Sequence, residues 1–181
     1  MKIPVPNMLS IFRILLLPVF GVVFFRYPGN EVNWLPASIF LLSGITDFLD
    51  GYIARRFGMI TKAGKLLDPI ADKLTQLTVI GCLAAKHNYR ELWALFIIYL
   101  IKELMIAIGG LWFIRKFRAI RMSRWFGRVA TTQFYAAIFL VILFPGMPRT
   151  MFNVLTILTV IFAIYSLVRY AIDFARIRQI R

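Results

Sequence analysis

The chain of 181 residues has one cysteine, Cys82, and one histidine, His87. A lone cysteine excludes an internal disulfide, and with so little histidine there is no Cys/His cluster of the kind that binds zinc. Cys82 lies in an apolar stretch and reads as a small packing residue. His87 falls in a short polar break and reads as solvated. Acids are scarce as well: eight Asp and Glu stand against 22 Lys and Arg, for a net charge of +14. Internal repeats and low-complexity segments are missing. So is the alternation of apolar and polar residues that a membrane β-barrel would need.

What the chain has in excess is apolar surface. Hydrophobic residues make up 60% of it, and the mean hydropathy is +0.76, where soluble domains are about half apolar. Long apolar runs cover residues 14–25, 34–45, 92–101, 136–144 and 154–168. Several extend toward the roughly 20 residues that a helix needs to cross a bilayer. An open sheet cannot satisfy its backbone in lipid, so helices are the default. The first run has no small-residue cleavage site, and Pro18 with the following "VFGVVFF" favours a retained span over a removable leader.

Breaks near residues 27–33, 56–63, 86–91, 115–124 and 145–149 divide the chain into six predicted helices, at 6–26, 34–57, 64–86, 91–115, 125–144 and 150–176. The expected fold class is therefore all-α: a polytopic membrane protein with six transmembrane helices, in one domain over residues 1–181. Lys2, Arg55, Arg56, Lys62, Lys65, the basic stretch 115–128 and the tail 169–181 fall at one set of helix ends. The other set holds only Arg26, Lys86, Arg90 and Arg149. The positive-inside rule places the first set, and both termini, in the cytoplasm, with the protein in the plasma membrane. Nucleic-acid binding is the rival reading of a pI near 10.6. It is set aside because the charge is spread over helix ends with no recognition motif. Anionic membrane lipids are the expected contact.

Four of the eight acids stand in two short stretches, "DFLDGYIARRF" (residues 47–57) and "GKLLDPIAD" (64–72). Asp47 and Asp50 are spaced i, i+3 at the end of the second helix, on one face with Gly51 and Ala54. Gly64, Asp68 and Asp72 recur every four residues at the start of the third. The short connection between them predicts antiparallel neighbours, so that the four carboxylates converge at the cytoplasmic surface. Converging carboxylates repel unless protonated or neutralised by cations. Hard oxygen ligands without His or Cys suit Mg²⁺, Mn²⁺ or Ca²⁺. Two divalent cations would balance four charges, and two-metal sites serve phosphoryl displacement. Small residues on these faces admit a bulky ligand to the backbone, and Arg55 and Arg56 beside them could hold a phosphate. Helix capping is the bland alternative; it accounts for Asp68 near a helix N-terminus and not for Asp47 and Asp50 near a C-terminus. A cation-coupled transporter is the alternative of another class. Its acids would be expected near the midplane rather than at one end of the spans.

The run Asp47-x-x-Asp50-Gly51-x-x-Ala54-Arg55, eight residues, Gly64-x-x-x-Asp68-x-x-x-Asp72 resembles the signature of the CDP-alcohol phosphotransferases. The opening "PNMLSIFRI" (6–14) and "DPIADK" (68–73) are similar to the branch of bacterial phosphatidylglycerophosphate synthases and eukaryotic-type cardiolipin synthases. The resemblance implies a helical membrane enzyme, usually a homodimer, that moves a phosphatidyl group from CDP-diacylglycerol to an alcohol and releases CMP. It implies that Asp47, Asp50, Asp68 and Asp72 hold two divalent cations, Mg²⁺ by default with Mn²⁺ second. Asp72 would also act as general base. Gly51, Ala54, Arg55, Thr61 and Gly64 would line the CDP site, with Asn7 and Ser10 nearby. Asn7, Ser10 and Arg13 form one stripe on the first helix; N-capping is the alternative for the first two. Arg13, carried into the membrane by that stripe, is expected to face the bundle interior.

The acceptor is less sharply marked. "WFGRVATTQ" (125–133) is similar to a stretch of phosphatidylglycerophosphate synthases, with Arg128 and Ala130 where lysines are expected. Lys102–Glu103 resembles the family's Arg–Glu pair, while "AIGGLW" (107–112) stands where an arginine is expected. Arg118 and Arg128 are the candidate acceptor-binding residues, with positive-inside topology as the alternative reading of that basic stretch. Glycerol 3-phosphate is the first choice of acceptor and phosphatidylglycerol the second.

Overall fold

The computed structural model describes residues 5–28, 32–56, 64–117 and 125–179. These form six α-helices: α1 (Val5–Arg26), α2 (Trp34–Arg56), α3 (Gly64–His87), α4 (Arg90–Phe117), α5 (Trp125–Leu143) and α6 (Arg149–Gln179). No strand occurs among the described residues. The observed bounds follow the expected ones to within three residues, because Pro, Gly and Asn punctuate the apolar runs where the helices stop. Asn88, the residue just past the end of α3, takes a left-handed conformation (φ 50°) and donates its amide to the Ala84 carbonyl at 2.9 Å. Asparagine tolerates that conformation and closes a helix with it. His87 is the last residue of α3, half-buried and stacked on Tyr89 with ring centroids 5.6 Å apart. It is thus less exposed than a loop histidine.

Contacts at one end of the bundle fix the helix directions. Lys86 donates to the carbonyls of Phe24 and Tyr27, joining the ends of α3 and α1. The Asn33 amide, just before α2, donates to the Leu143 carbonyl at the end of α5. Arg149 pairs with Glu91 at 2.8 Å, joining the starts of α6 and α4. Successive helices therefore alternate in direction.

α1 packs against both α2 and α3, which touch each other only slightly. α5 bridges α2 and α6, and α4 bridges α3 and α6. The expected direct pairing of α2 and α3 is therefore corrected. A short connection makes two helices antiparallel without forcing them into contact, and α1 occupies the position between them.

The interior divides by polarity along the bundle. The apolar core, with Phe20, Phe24, Phe40, Leu83, Leu95 and Ile142 among its members, occupies the half nearest the Lys86 end. The other half buries Ser10, Arg13, Thr75, Gln76, Lys102 and Glu103. A core of that polarity is stable only if its groups find partners.

The six-span expectation is met only in its coarser form. Among the described residues, α1 (Met8–Arg26) and α6 (Arg149–Ile172) are long and apolar enough to cross a membrane on composition alone. α2 and α5 hold shorter apolar segments, Trp34–Leu49 and Gly127–Leu143, while charges of the polar half interrupt α3 (Asp68, Asp72, Lys73) and α4 (Lys102, Glu103).

Candidate active site

The polar half is organised around three aspartates, each held by a donor from another helix. Arg13 of α1 is wholly buried and forms an ion pair and hydrogen bond with Asp47 of α2. One turn earlier on α1, the buried Ser10 hydroxyl donates to Asp68 Oδ1 of α3 at 2.6 Å. The spacing i, i+3 puts Ser10 and Arg13 on one face, as the sequence indicated. One helix therefore ties together the two that carry the aspartates. Ser10 lies inside α1 and spends its hydroxyl on Asp68, which excludes N-capping as its role. Asn7 is likewise past the helix start, though its side chain lies outside the described residues.

Asp72 lies one turn beyond Asp68, eight residues into α3, about 12 Å from its start at 1.5 Å per residue. Gln76 Nε2 donates to both of its oxygens, at 3.1 Å each. The Tyr135 hydroxyl of α5 donates to Oδ1 at 3.2 Å. Lys73 Nζ stands 3.6 Å from Oδ2 and 3.0 Å from Glu103 of α4, whose other oxygen lies 2.8 Å from Lys102 Nζ. Lys102 in turn sits 4.2 Å from the centre of the Tyr99 ring, a cation–π contact. A continuous polar network thus runs from Asp72 across α3 into α4.

Asp68 and Asp72 both lie within electrostatic reach of Asp47. Among the described side chains the cations paired with these three carboxylates are Arg13 and Lys73, so within that set negative charge is left over. The donors are carboxylate oxygens throughout, the chemistry of a hard divalent cation rather than zinc. Arg13 marks the place on Asp47 where positive charge is favoured. On donor chemistry and on charge the residues fit such cations. The described side chains do not by themselves form a closed group of three metal ligands.

The remaining sequence-predicted residues stand as follows. Asp50, Gly51, Ala54 and Arg55 belong to α2, but their side chains lie outside the described residues. Thr61 and Arg118 lie outside them altogether. Gly64 is buried at the start of α3. Arg128 is exposed on the first turn of α5. Cys82 is a free thiol 4.0 Å from where a Cβ on Gly21 would stand, which fits a packing residue.

Two site residues escaped the sequence reading. Gln76 carried a usable signal, since it continues the 64–68–72 series at i+4 and is polar in an apolar helix. Tyr135 carried none, because only the packing of α5 brings it to Asp72.

The site is thus a set of carboxylates ringed by fixed donors, at one end of a helical bundle in which two helices are long and apolar enough to cross a membrane. The chain matches the family described as CDP-alcohol phosphatidyltransferase over residues 3–166, and it belongs to that family. The family is membrane-integral and generally dependent on divalent cations.

The chain is similar to several proteins named CDP-diacylglycerol–glycerol-3-phosphate 3-phosphatidyltransferase. The one from Rickettsia felis is 44% identical over 103 residues, covering 56% of this chain and 55% of that protein. Those from Salmonella typhimurium (33% over 142 residues) and Escherichia coli K12 (32% over 145) each match 73% of this chain and 72% of their own length.

Proposed function

We propose that the chain transfers a phosphatidyl group from CDP-diacylglycerol to glycerol 3-phosphate, forming phosphatidylglycerophosphate and releasing CMP. The observation that carries this reading is the joint hold of α1 on Asp47 and Asp68, with Asp72 clamped beside them. The names of the relatives support the acceptor.

Asp47, Asp50, Asp68 and Asp72 would hold two divalent cations, Mg²⁺ by availability, whose charge offsets the negative charge that develops on the leaving CMP. Asp72 takes the proton from the acceptor hydroxyl, a poor nucleophile without a positioned base. Gly51, Ala54, Arg55, Thr61 and Gly64 line the nucleotide, with Asn7 and Ser10 at the same end. Arg118 and Arg128 attract the acceptor's phosphate.

All six helices cross the membrane as one domain over residues 1–181. The support is their alternating direction and the apolar bands that α2 and α4 expose, with Leu41, Ile45 and Phe48 on one and Ile97, Ile101 and Ile108 on the other. Such bands are unfavourable in water and natural against acyl chains. The basic helix ends put the site and both termini in the cytoplasm, in the plasma membrane, so that the donor keeps its acyl chains in lipid while its nucleotide stays in water. A homodimer is the expected assembly.

Phosphatidylglycerol is the second acceptor. One observation favours it: Ala130, where a lysine would be expected, is a buried apolar residue, which leaves one fixed cation fewer for a free phosphate. The test is an assay of the reconstituted protein with CDP-diacylglycerol and, in parallel, radiolabelled glycerol 3-phosphate or phosphatidylglycerol. Labelled phosphatidylglycerophosphate supports the first reading, and cardiolipin formed in its stead replaces it with the second.

A further inference from the structure

We infer that Tyr135 and Gln76 are positioning residues that clamp the Asp72 carboxylate in one orientation for the transfer step. The inference rests on the reading of Asp72 as the base. A carboxylate offers about four lone-pair sites on two oxygens and rotates freely unless donors fix its plane. Gln76 approaches from Asp72's own helix, one turn on, and spans both oxygens. Tyr135 approaches from α5 and takes Oδ1 alone. A rotation of the carboxylate would break at least one of these bonds.

The phenol is itself held in place. Its ring stacks on Phe40 of α2, centroids 5.2 Å apart and planes 17° from parallel. One turn further along α2, a Cβ on Gly44 would lie 3.4 Å from the tyrosine ring. A methyl group there would just touch the ring, and a bulkier, branched side chain would press against it. Phe40, Gly44 and Asp47 follow at i, i+4 and i+7, so one face of α2 both seats the tyrosine and carries Asp47.

Gln76 shows the same bias toward function. It is 1% exposed, and its own carbonyl oxygen has no hydrogen-bond donor among the described residues. Turning the amide over would face that oxygen to the carboxylate, so the amide is fixed as it stands. A buried acceptor without a donor is destabilising. A leucine would fill this volume without that cost, so packing stability does not explain the glutamine.

The test uses the full chain in detergent or liposomes. Tyr135→Phe keeps the stacked ring and removes only the hydroxyl. It is expected to lower kcat about 10–100-fold, with the KM for CDP-diacylglycerol and the thermal midpoint unchanged. Gln76→Leu is expected to act in the same direction. Gly44→Val, which pushes the ring off its seat, should give the Tyr135→Phe defect, and the double variant should be no worse than either. Mn²⁺ binding followed by electron paramagnetic resonance, without any lipid substrate, should weaken in Tyr135→Phe at constant stoichiometry. Wild-type kcat together with wild-type Mn²⁺ affinity in Tyr135→Phe would overturn the clamp. Asp72→Asn is run alongside: if it is inactive while Tyr135→Phe is normal, only the clamp fails. If Asp72→Asn turns over normally, the base reading fails and the clamp with it.

Discussion

Arg13 and Asp47 form an ion pair between α1 and α2 in which the arginine has no exposed surface and the aspartate keeps 35% of its own. The arginine is the structural cation of the site, so its loss and the arrival of a divalent cation act on the same carboxylate. Arg13→Gln should destabilise the metal-free protein. The loss should fall below the about 3–5 kcal/mol of a fully buried broken pair, because Asp47 stays partly hydrated. Added Mg²⁺ should then raise the thermal midpoint more in the variant than in the parent. Equal Mg²⁺-induced shifts in the two proteins would show that Arg13 and the cation do not share Asp47.

Glu103 lies between two lysines, 3.0 Å from Lys73, which also has Asp72 at 3.6 Å, and 2.8 Å from Lys102. Glu103→Leu leaves those cations facing each other with Lys102 almost fully buried. A loss of stability of about 3–5 kcal/mol is expected. Adding Lys102→Met to it should recover part of that loss, since one uncompensated charge is removed. Thermal unfolding of the single and double variants checks this, and a double variant no more stable than Glu103→Leu would contradict it.

Much of this was readable in one dimension. The aspartate series, the stripe 7–10–13 and the six helices follow from periods of three to four residues and from the Pro, Gly and Asn breaks. Arg13 could be placed inside the bundle because a charge within an apolar run has nowhere else to go. The order in which helices pack was not readable. Loop length set the directions of α2 and α3, while the side-chain pairs Arg13–Asp47 and Ser10–Asp68 brought α1 between them. Tyr135 belongs to the same blind spot, since its link to Asp72 spans 63 positions and no spacing rule connects α3 to α5.

Arg128 is exposed on α5, where an acceptor phosphate arriving from water can reach it. Arg128→Ala should raise the KM for glycerol 3-phosphate several-fold, the scale of about 1 kcal/mol for one exposed charge pair, and leave the KM for CDP-diacylglycerol unchanged. Steady-state kinetics with each substrate varied in turn decides it. An unchanged acceptor KM would make Arg128 a topology residue only.

The central claim is that four aspartates at one end of the bundle form a cation-dependent phosphatidyl-transfer site. It is tested most directly by CMP release from the purified, reconstituted protein. The account predicts CMP only when CDP-diacylglycerol, a divalent cation and glycerol 3-phosphate are all present, and none in EDTA or in Asp72→Asn with its fold intact. CMP release that survives EDTA would contradict it, as would normal turnover in Asp72→Asn.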